Sequence, residues 1–317
     1  MWTMRPLRIA LVAHGFLSIP PVGWGAVENV IWQLATRVRA MGHYVHIVNV
    51  KKRRLPWELV KLGSLDFVHV HNDRAVSRVL LTSRIKPFRT IATSHWSYPA
   101  GDLNPEQSAS LLRISRAPYH LPISAVSAER IRELNPSALT HLIPNGAEVS
   151  EFRWSETGNG RAICVGRIER RKRQGEVAHM LAKSGVPCDF VGPTADDILP
   201  SGASYLGAWS RDELRHRLTD YSCLVLWSEA EGHPLVVPEA LAAGLSVVVS
   251  PAASAHLDRD WPFVQVVGLR HELPVAVQRM VEGNARVRVD ARRIAEAHFN
   301  WDRIAERYIA QLLQWRA

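Results

Sequence analysis

Short apolar, β-branched runs alternate along the chain with stretches whose apolar residues recur at three- and four-residue intervals, the pattern of strands separated by helices. In the first half the strand-like runs are Leu7–Ala13, Tyr44–Val50, Phe67–Val70, Thr90–Thr93, Leu121–Val126 and Leu142–Pro144. The spacing predicts a helix over Ala26–Met41 that stops at Gly42, where a left-handed cap is sterically free. Another helix is expected to begin at Ser127, whose hydroxyl can cap the amides after it. Pro144-Asn145-Gly146 reads as a turn, and the polar stretch Ser150–Gly160 as a linker. Alternation then resumes, with strands near Ala162–Val165, Cys188–Val191, Ser204–Leu206, Cys223–Trp227, Ser246–Val249 and Phe263–Val267. This predicts an α/β protein of two doubly wound, parallel-sheet domains facing each other across a cleft, with ligands beyond the carboxyl ends of the strands.

Length agrees, since 317 residues exceed what one α/β core usually holds. Leu7–Phe16, the longest apolar run near the start, is broken by Arg8 and His14 and is far too short to span a membrane. Cys164, Cys188 and Cys223 sit singly in apolar stretches, which suggests neither a disulfide framework nor a zinc cluster and points to the cytoplasm. The net charge of +9 is uneven: residues 1–150 carry 18 Lys+Arg against 9 Asp+Glu, and the remainder 21 of each. Two readings of that excess stand. Loops such as Lys51-Lys52-Arg53-Arg54 are simply solvated, or they form a basic face for a phosphorylated acceptor or, peripherally, the anionic inner face of a membrane. Nucleic acid is not expected, because the aromatics do not interleave with the basic residues as stacking platforms.

Chemistry concentrates between Ser228 and Ser250. Glu231-Gly232-His233-Pro234 forms a tight passage after a strand, and Leu235–Ala243 reads as a short helix stopped by Gly244. Glu231 falls on the loop and Glu239 in the helix, near amides whose partial positive charge suits a diphosphate. Two glutamates around a helix start are, by themselves, more often a solvated face and a dipole partner. Asp258-Arg259-Asp260 spells a metal-binding D-x-D but lies in a polar loop far from the other motifs. His69 and His71 fall on one face of a strand with no third metal ligand at useful spacing. Gly23 and Gly25 fail the dinucleotide fingerprint, because Glu28 stands where its third glycine belongs.

The run from Glu231 to Gly244 resembles the E-x7-E signature of family 4 retaining glycosyltransferases, which have the GT-B fold. Other segments agree in order. Pro20-Pro21-Val22-Gly23-Trp24-Gly25-Ala26-Val27-Glu28 is similar to the family's opening, with Ala26 in place of a second glycine, and Gly42-His43-Tyr44-Val45 to its G-H-x-V. Ile143-Pro144-Asn145-Gly146 and Val165-Gly166-Arg167 also match, and Phe299-Asn300-Trp301-Asp302 is similar to the phrase that precedes a last helix crossing back onto the first domain.

The resemblance implies an acceptor-binding domain over 1–148, joined by a helix at about 300–317, and a donor-binding domain over 149–299. It implies a hexosyltransferase that uses a nucleotide-diphosphate sugar as cosubstrate and needs no metal or other cofactor. Glu239 would bind the donor ribose, and Glu231, with Gly232 and amides around His233, Leu235 and Val236, the transferred sugar. Arg167 and Lys172, beside Gly166, would clamp the diphosphate, stabilising charge that grows on the leaving group. Gly25 would let backbone approach the diphosphate, and His95 would touch the sugar, with Glu28 beside it on the acceptor side. A sugar-nucleotide epimerase of the same fold, and a non-catalytic basic module binding anionic surfaces, are the alternatives. Base, sugar, acceptor and linkage lie beyond the motifs.

Overall fold

The computed structural model describes residues 5–23, 25–98, 101–195, 199–200 and 202–316, so Trp24 of the opening motif lies outside the described residues. The chain divides into two compact units, one of residues 1–145 and 301–317 and the other of residues 146–300.

In the first unit the elements run β1 (Arg8–Val12), α1 (Ala26–Ala40), β2 (Tyr44–Val48), α2 (Leu55–Lys61), β3 (Phe67–Val70), α3 (Val76–Ser83), β4 (Arg89–Ala92), α4 (Pro105–Ile114), β5 (Tyr119–His120), α5 (Ala125–Leu134) and β6 (Leu139–Thr140). The sheet order is β2-β1-β3-β4-β5-β6, with every pairing parallel. Strand order therefore reverses at β1, and the crevice between the carboxyl ends of β1 and β3 is the switch point where such sheets bind ligands. Helix α1 ends as the sequence predicts: Met41 caps it and Gly42 follows at φ +86°.

Three expectations are corrected here. The run Leu121–Val126 is not a strand: β5 stops at His120, Leu121 N–H makes one more ladder bond to Ala92 O, and Pro122 then has no N–H to continue. The next helix starts earlier than Ser127. Ser124 is its N-cap, and the Ser127 N–H is the donor that Ser124 Oγ accepts. Leu142–Pro144 also lies past its strand, β6, although Ile143 N–H still reaches Pro122 O.

The second unit holds β7 (Ala162–Val165), α6 (Gln174–Lys183), β8 (Cys188–Val191), β9 (Ser204–Tyr205), α7 (Arg211–Arg217), β10 (Cys223–Leu226), α8 (Val236–Ala242), β11 (Ser246–Val249), β12 (Val264–Val266) and the long α9 (Leu273–Ile294). Its sheet is again all parallel, in the order β12-β11-β10-β7-β8-β9, so the reversal falls between β7 and β10. The segment 150–160, expected as a linker, is part of this unit. Gly158 packs so closely on Tyr221 and Ser222 that any Cβ would overlap them, and Ser155 O accepts from Arg288. A last helix, α10 (Trp301–Arg316), belongs to the first unit, where Arg37 pairs with Asp302 at 2.8 Å. Among the described residues no helix is long and apolar enough to cross a membrane.

Candidate functional site

The reversal between β7 and β10 brings together most of the residues singled out by the motifs. Val165 ends β7, and Gly166 then takes φ +142°, a conformation open to glycine but costly for other residues. A Cβ on Gly166 would sit 3.1 Å from Lys172 Nζ. Its neighbour is Gly192, just past β8 at φ +145°, where a Cβ would overlap Gly166 O. The two glycines let adjacent strand ends pass at backbone contact, and Ile168 and Thr194 bridge just beyond them.

The basic loop after β7 is fastened to the acidic loop after β10. Lys172 Nζ lies 3.3 Å and Arg171 Nη1 3.5 Å from Glu231 Oε1, which also accepts from Ser228 Oγ at 2.9 Å. Arg171 donates to Ala230 O as well, Glu229 N–H donates to Arg171 O at 2.9 Å, and Arg173 pairs with Glu229. Glu231 and Lys172 are thus adjacent. Arg167 is exposed, with no described carboxylate within ion-pair distance, while its carbonyl accepts from Gln174 Nε2.

Helix α8 begins at Val236 with Leu235 as its cap residue, one position later than the spacing suggests. It ends at Ala242 with Ala243 as its cap, and Gly244 follows at φ +85°, where a Cβ would meet Trp154 and Arg288. Glu239, in the first turn, is 3% exposed and receives Arg211 Nη1 on Oε1 at 2.6 Å. Arg211 also approaches Glu148 at 3.5 Å, and Arg215 holds Glu148 at 2.6 Å. Gly232 and Leu235 keep some surface, whereas His233 is buried against His256 and Phe299, and burial pushes its imidazole well below the ordinary range.

In the first unit His95 lies just past β4, and its Nε2 is 3.0 Å from His71 Nδ1. A second chain of bonds can be oriented. Thr93 Oγ1 donates to Leu121 O, so it accepts from His69 Nε2, which leaves His69 Nδ1 to accept from Tyr308 O–H at 3.3 Å. Burial lowers both His69 and His95 to about 3, so both rings are neutral near pH 7. With Val30 and Leu34 these rings line a cavity of about 30 Å³. Glu28 is buried in the first turn of α1. Its Oε2 is 3.0 Å from where a Gly25 Cβ would stand, which gives Gly25 a local reason to be glycine.

Four contributors are absent from the sequence reading. Arg171 hides in a basic run, and Gly192 is marked only by the Val-Gly-Pro that repeats Val165-Gly166 one strand later. Arg211 carries no motif, and Glu148 carries none beyond its place after Asn145-Gly146. Asp258 and Asp260 form a local turn, in which Asp260 N–H donates to Asp258 Oδ1 at 2.9 Å.

No protein-family model and no curated protein sequence matches the chain. Solved structures do. Sucrose-phosphate synthase from Thermosynechococcus elongatus is 16% identical, with 98% of each chain covered and a TM-score of 0.78. Anabaena HepE in complex with UDP is 15% identical over 97% of this chain and 100% of its own, with a TM-score of 0.76. AviGT4, a glycosyltransferase involved in avilamycin A biosynthesis, is 18% identical over 98% of both chains, with a TM-score of 0.75. At such identities the likeness is one of architecture: the chain has the GT-B fold of these proteins.

Proposed function

We propose that the chain is a retaining glycosyltransferase of the family 4 type, moving a sugar from a nucleotide diphosphate to an acceptor hydroxyl. The observation that carries this reading is the meeting of Gly166, Lys172 and Glu231 at the strand-order reversal of the second unit. The HepE complexes with UDP and with UDP-glucose support a nucleotide-sugar donor.

Lys172 and the exposed Arg167 take the diphosphate. The ammonium has three donors and spends one on Glu231, leaving others for phosphate oxygens as charge builds there. Gly166 and Gly192 keep side chains away from that approach. Glu231, with Gly232 and the backbone of His233, Leu235 and Val236, faces the sugar, and Glu239 the ribose. In the first unit neutral His95 offers a hydrogen bond to a sugar hydroxyl without adding charge, and Glu28 lies on the acceptor side.

A front-face route fits these residues. The bond from the anomeric carbon to the β-phosphate oxygen breaks, the leaving phosphate takes the acceptor's proton, and the acceptor oxygen bonds to the same face. A carboxylate already bound by Lys172 and Ser228 makes a poor nucleophile, which argues against a covalent intermediate on Glu231. Metal-independent turnover belongs to the same reading. Thermal shifts with UDP, GDP, ADP and dTDP sugars, followed by release of free sugar without acceptor, test it. Stabilisation by none of them, or interconversion of sugar nucleotides without release, overturns it. Arg167→Ala lowers turnover more than donor affinity, whereas Glu239→Ala does the reverse; wild-type kinetics in both would discredit the assignment.

A peripheral contact with anionic membrane is a second reading for the basic half. Exposed Trp57 and Val60 on α2 and Leu81 and Ile85 on and after α3 lie among Arg53, Arg54, Lys61, Arg78 and Arg84. Lys86, which donates to the carbonyls of Leu59, Val60 and Leu62, ties the two helices together. Co-sedimentation with phosphatidylserine vesicles that weakens with salt supports this contact, and equal binding to neutral vesicles refutes it.

A further inference from the structure

We infer that Arg211 is the positioning residue of the ribose subsite, holding Glu239 oriented so that one carboxylate oxygen is kept for the ribose hydroxyls. The inference rests on the reading of Glu239 as the ribose ligand and adds to it a residue that no motif marks.

Arg211 stands where a cation is electrostatically misplaced. It is the first residue of α7, whose cap is Ser210 in a reciprocal capping box with Glu213, and the positive pole of a helix disfavours a guanidinium there. Two carboxylates from other segments compensate: Glu239 of α8 at 2.6 Å, and Glu148 at 3.5 Å. Glu148 is itself fixed by Arg215 at 2.6 Å, so the guanidinium is braced from both sides. The opposite charge of Glu239, with burial working against it, raises Arg211 above its already high range, so it stays charged at any working pH.

The consequence falls on Glu239. Its side chain keeps 5% of its surface, an environment in which a carboxylate without a partner is costly and would turn away toward water. Arg211 holds it in place with a short, charge-assisted bond to Oε1. Among the described residues no hydrogen bond reaches Oε2. A carboxylate oxygen held in place is the acceptor that a vicinal diol, two O–H donors side by side, requires. A carboxylate free to swing would leave the diphosphate end of the ligand bound equally well and lose only the preference for ribose. Arg211 keeps 31% of its own side-chain surface, so a change there need not empty a core.

The test compares ribose with its deoxygenated form. Calorimetry ranks UDP, GDP and ADP, and the tightest binder is then compared with its 2′,3′-dideoxy analogue on wild type, Glu239→Gln, Arg211→Gln and Arg211→Lys. In wild type the ribose form binds at least about tenfold tighter, the scale of hydrogen bonds to a charged group. Glu239→Gln and Arg211→Gln each shrink that ratio to under about threefold, while affinity for the dideoxy form stays close to wild type. Arg211→Lys, which keeps the charge but not the fork, also lowers the ratio and is the variant read if the glutamine form does not fold. A ratio intact in both Arg211 variants but collapsed in Glu239→Gln overturns the inference alone. A ratio intact in Glu239→Gln overturns the ribose assignment beneath it, and no binding of any of the three nucleotides overturns the donor site as a whole.

Discussion

Replacing Gly166 and Gly192 by alanine, one at a time, separates backbone strain from the loss of a ligand group. Both glycines have φ near +140°, where an alanine costs about 1–3 kcal/mol before any contact is counted. The contacts differ. At Gly166 the new methyl stands 3.1 Å from Lys172 Nζ, the free end of a flexible chain that withdraws by a few tenths of an ångström. At Gly192 it overlaps the carbonyl of Gly166, and only the strand ends themselves can move. We expect Gly166→Ala to cost about 1–2 kcal/mol and Gly192→Ala about 3 kcal/mol or more. An unfolding entropy of about 0.3 kcal/mol/K for a unit the size of residues 146–300 turns these into drops of about 3–6 °C and about 10 °C. Differential scanning calorimetry with matched urea titrations reads both. Donor affinity should follow the opposite ranking relative to stability lost, because Gly166→Ala displaces Lys172 from Glu231. Equal stability losses, or a Gly192→Ala protein as stable as wild type, would refute the close strand crossing.

The remaining predictions follow from burial and charge. His69 titrates near 3 when folded and near 6.5 when unfolded, so the unfolded chain binds more protons between those values and stability falls as pH drops below 6.5. The loss is about 2 kcal/mol at pH 5 from this group, and His69→Gln flattens the melting temperature between pH 7 and 5; an unchanged slope sinks the argument. Arg288, fully buried, donates to Ser155 O at 2.9 Å, Tyr221 O at 2.8 Å, Asn284 Oδ1 at 2.6 Å, and Thr219, with no carboxylate partner among the described residues. Arg288→Met orphans these acceptors and costs about 3–5 kcal/mol by chemical denaturation, and a near-neutral result refutes the clasp. Changing Asp258 and Asp260 together to asparagine leaves turnover unchanged, as does EDTA; activity lost to the chelator and restored by Mg²⁺ or Mn²⁺ would restore the D-x-D as a metal site.

Local rules carried the sequence reading a long way. Helix α1 is set by its apolar stripe and by Gly42, both visible within twenty residues, and β7, β8, β10 and β11 are apolar runs that need no context. The misplacements at β5 and β6 share a cause. Leu121–Ser124 is as apolar as a strand, but sheet membership is decided by ladder bonds, and Pro122 withdraws the donor that would extend them. Ser124 and Ser127 look interchangeable as caps until the turn of the chain shows which hydroxyl faces which amide. Two parallel sheets followed from alternation, whereas the strand order that sets β7 beside β10 and creates the reversal did not.

The two glutamates show what spacing leaves undetermined. Eight positions apart on a loop and a short helix, they differ in the sequence only by the role that resemblance gives each, whereas the fold gives them opposite surroundings. Glu231 shares its Oε1 with Ser228, Lys172 and Arg171, all on loops after strands β7 and β10. Such partners can be exchanged for a ligand's phosphates at little cost, because loops reorganise locally. Glu239 sits in α8 against one guanidinium that a second acid and a second arginine hold still. Its geometry is set before any ligand arrives. Each cation comes from a separate strand-to-helix crossover, some 59 residues from its glutamate for Lys172 and 28 for Arg211, beyond the reach of any periodicity. On the function proposed above, an adaptable carboxylate would stand beside the sugar and a rigid one beside the ribose. The rigid end would then fix the donor's register, and the adaptable end would follow the charge as the bond breaks.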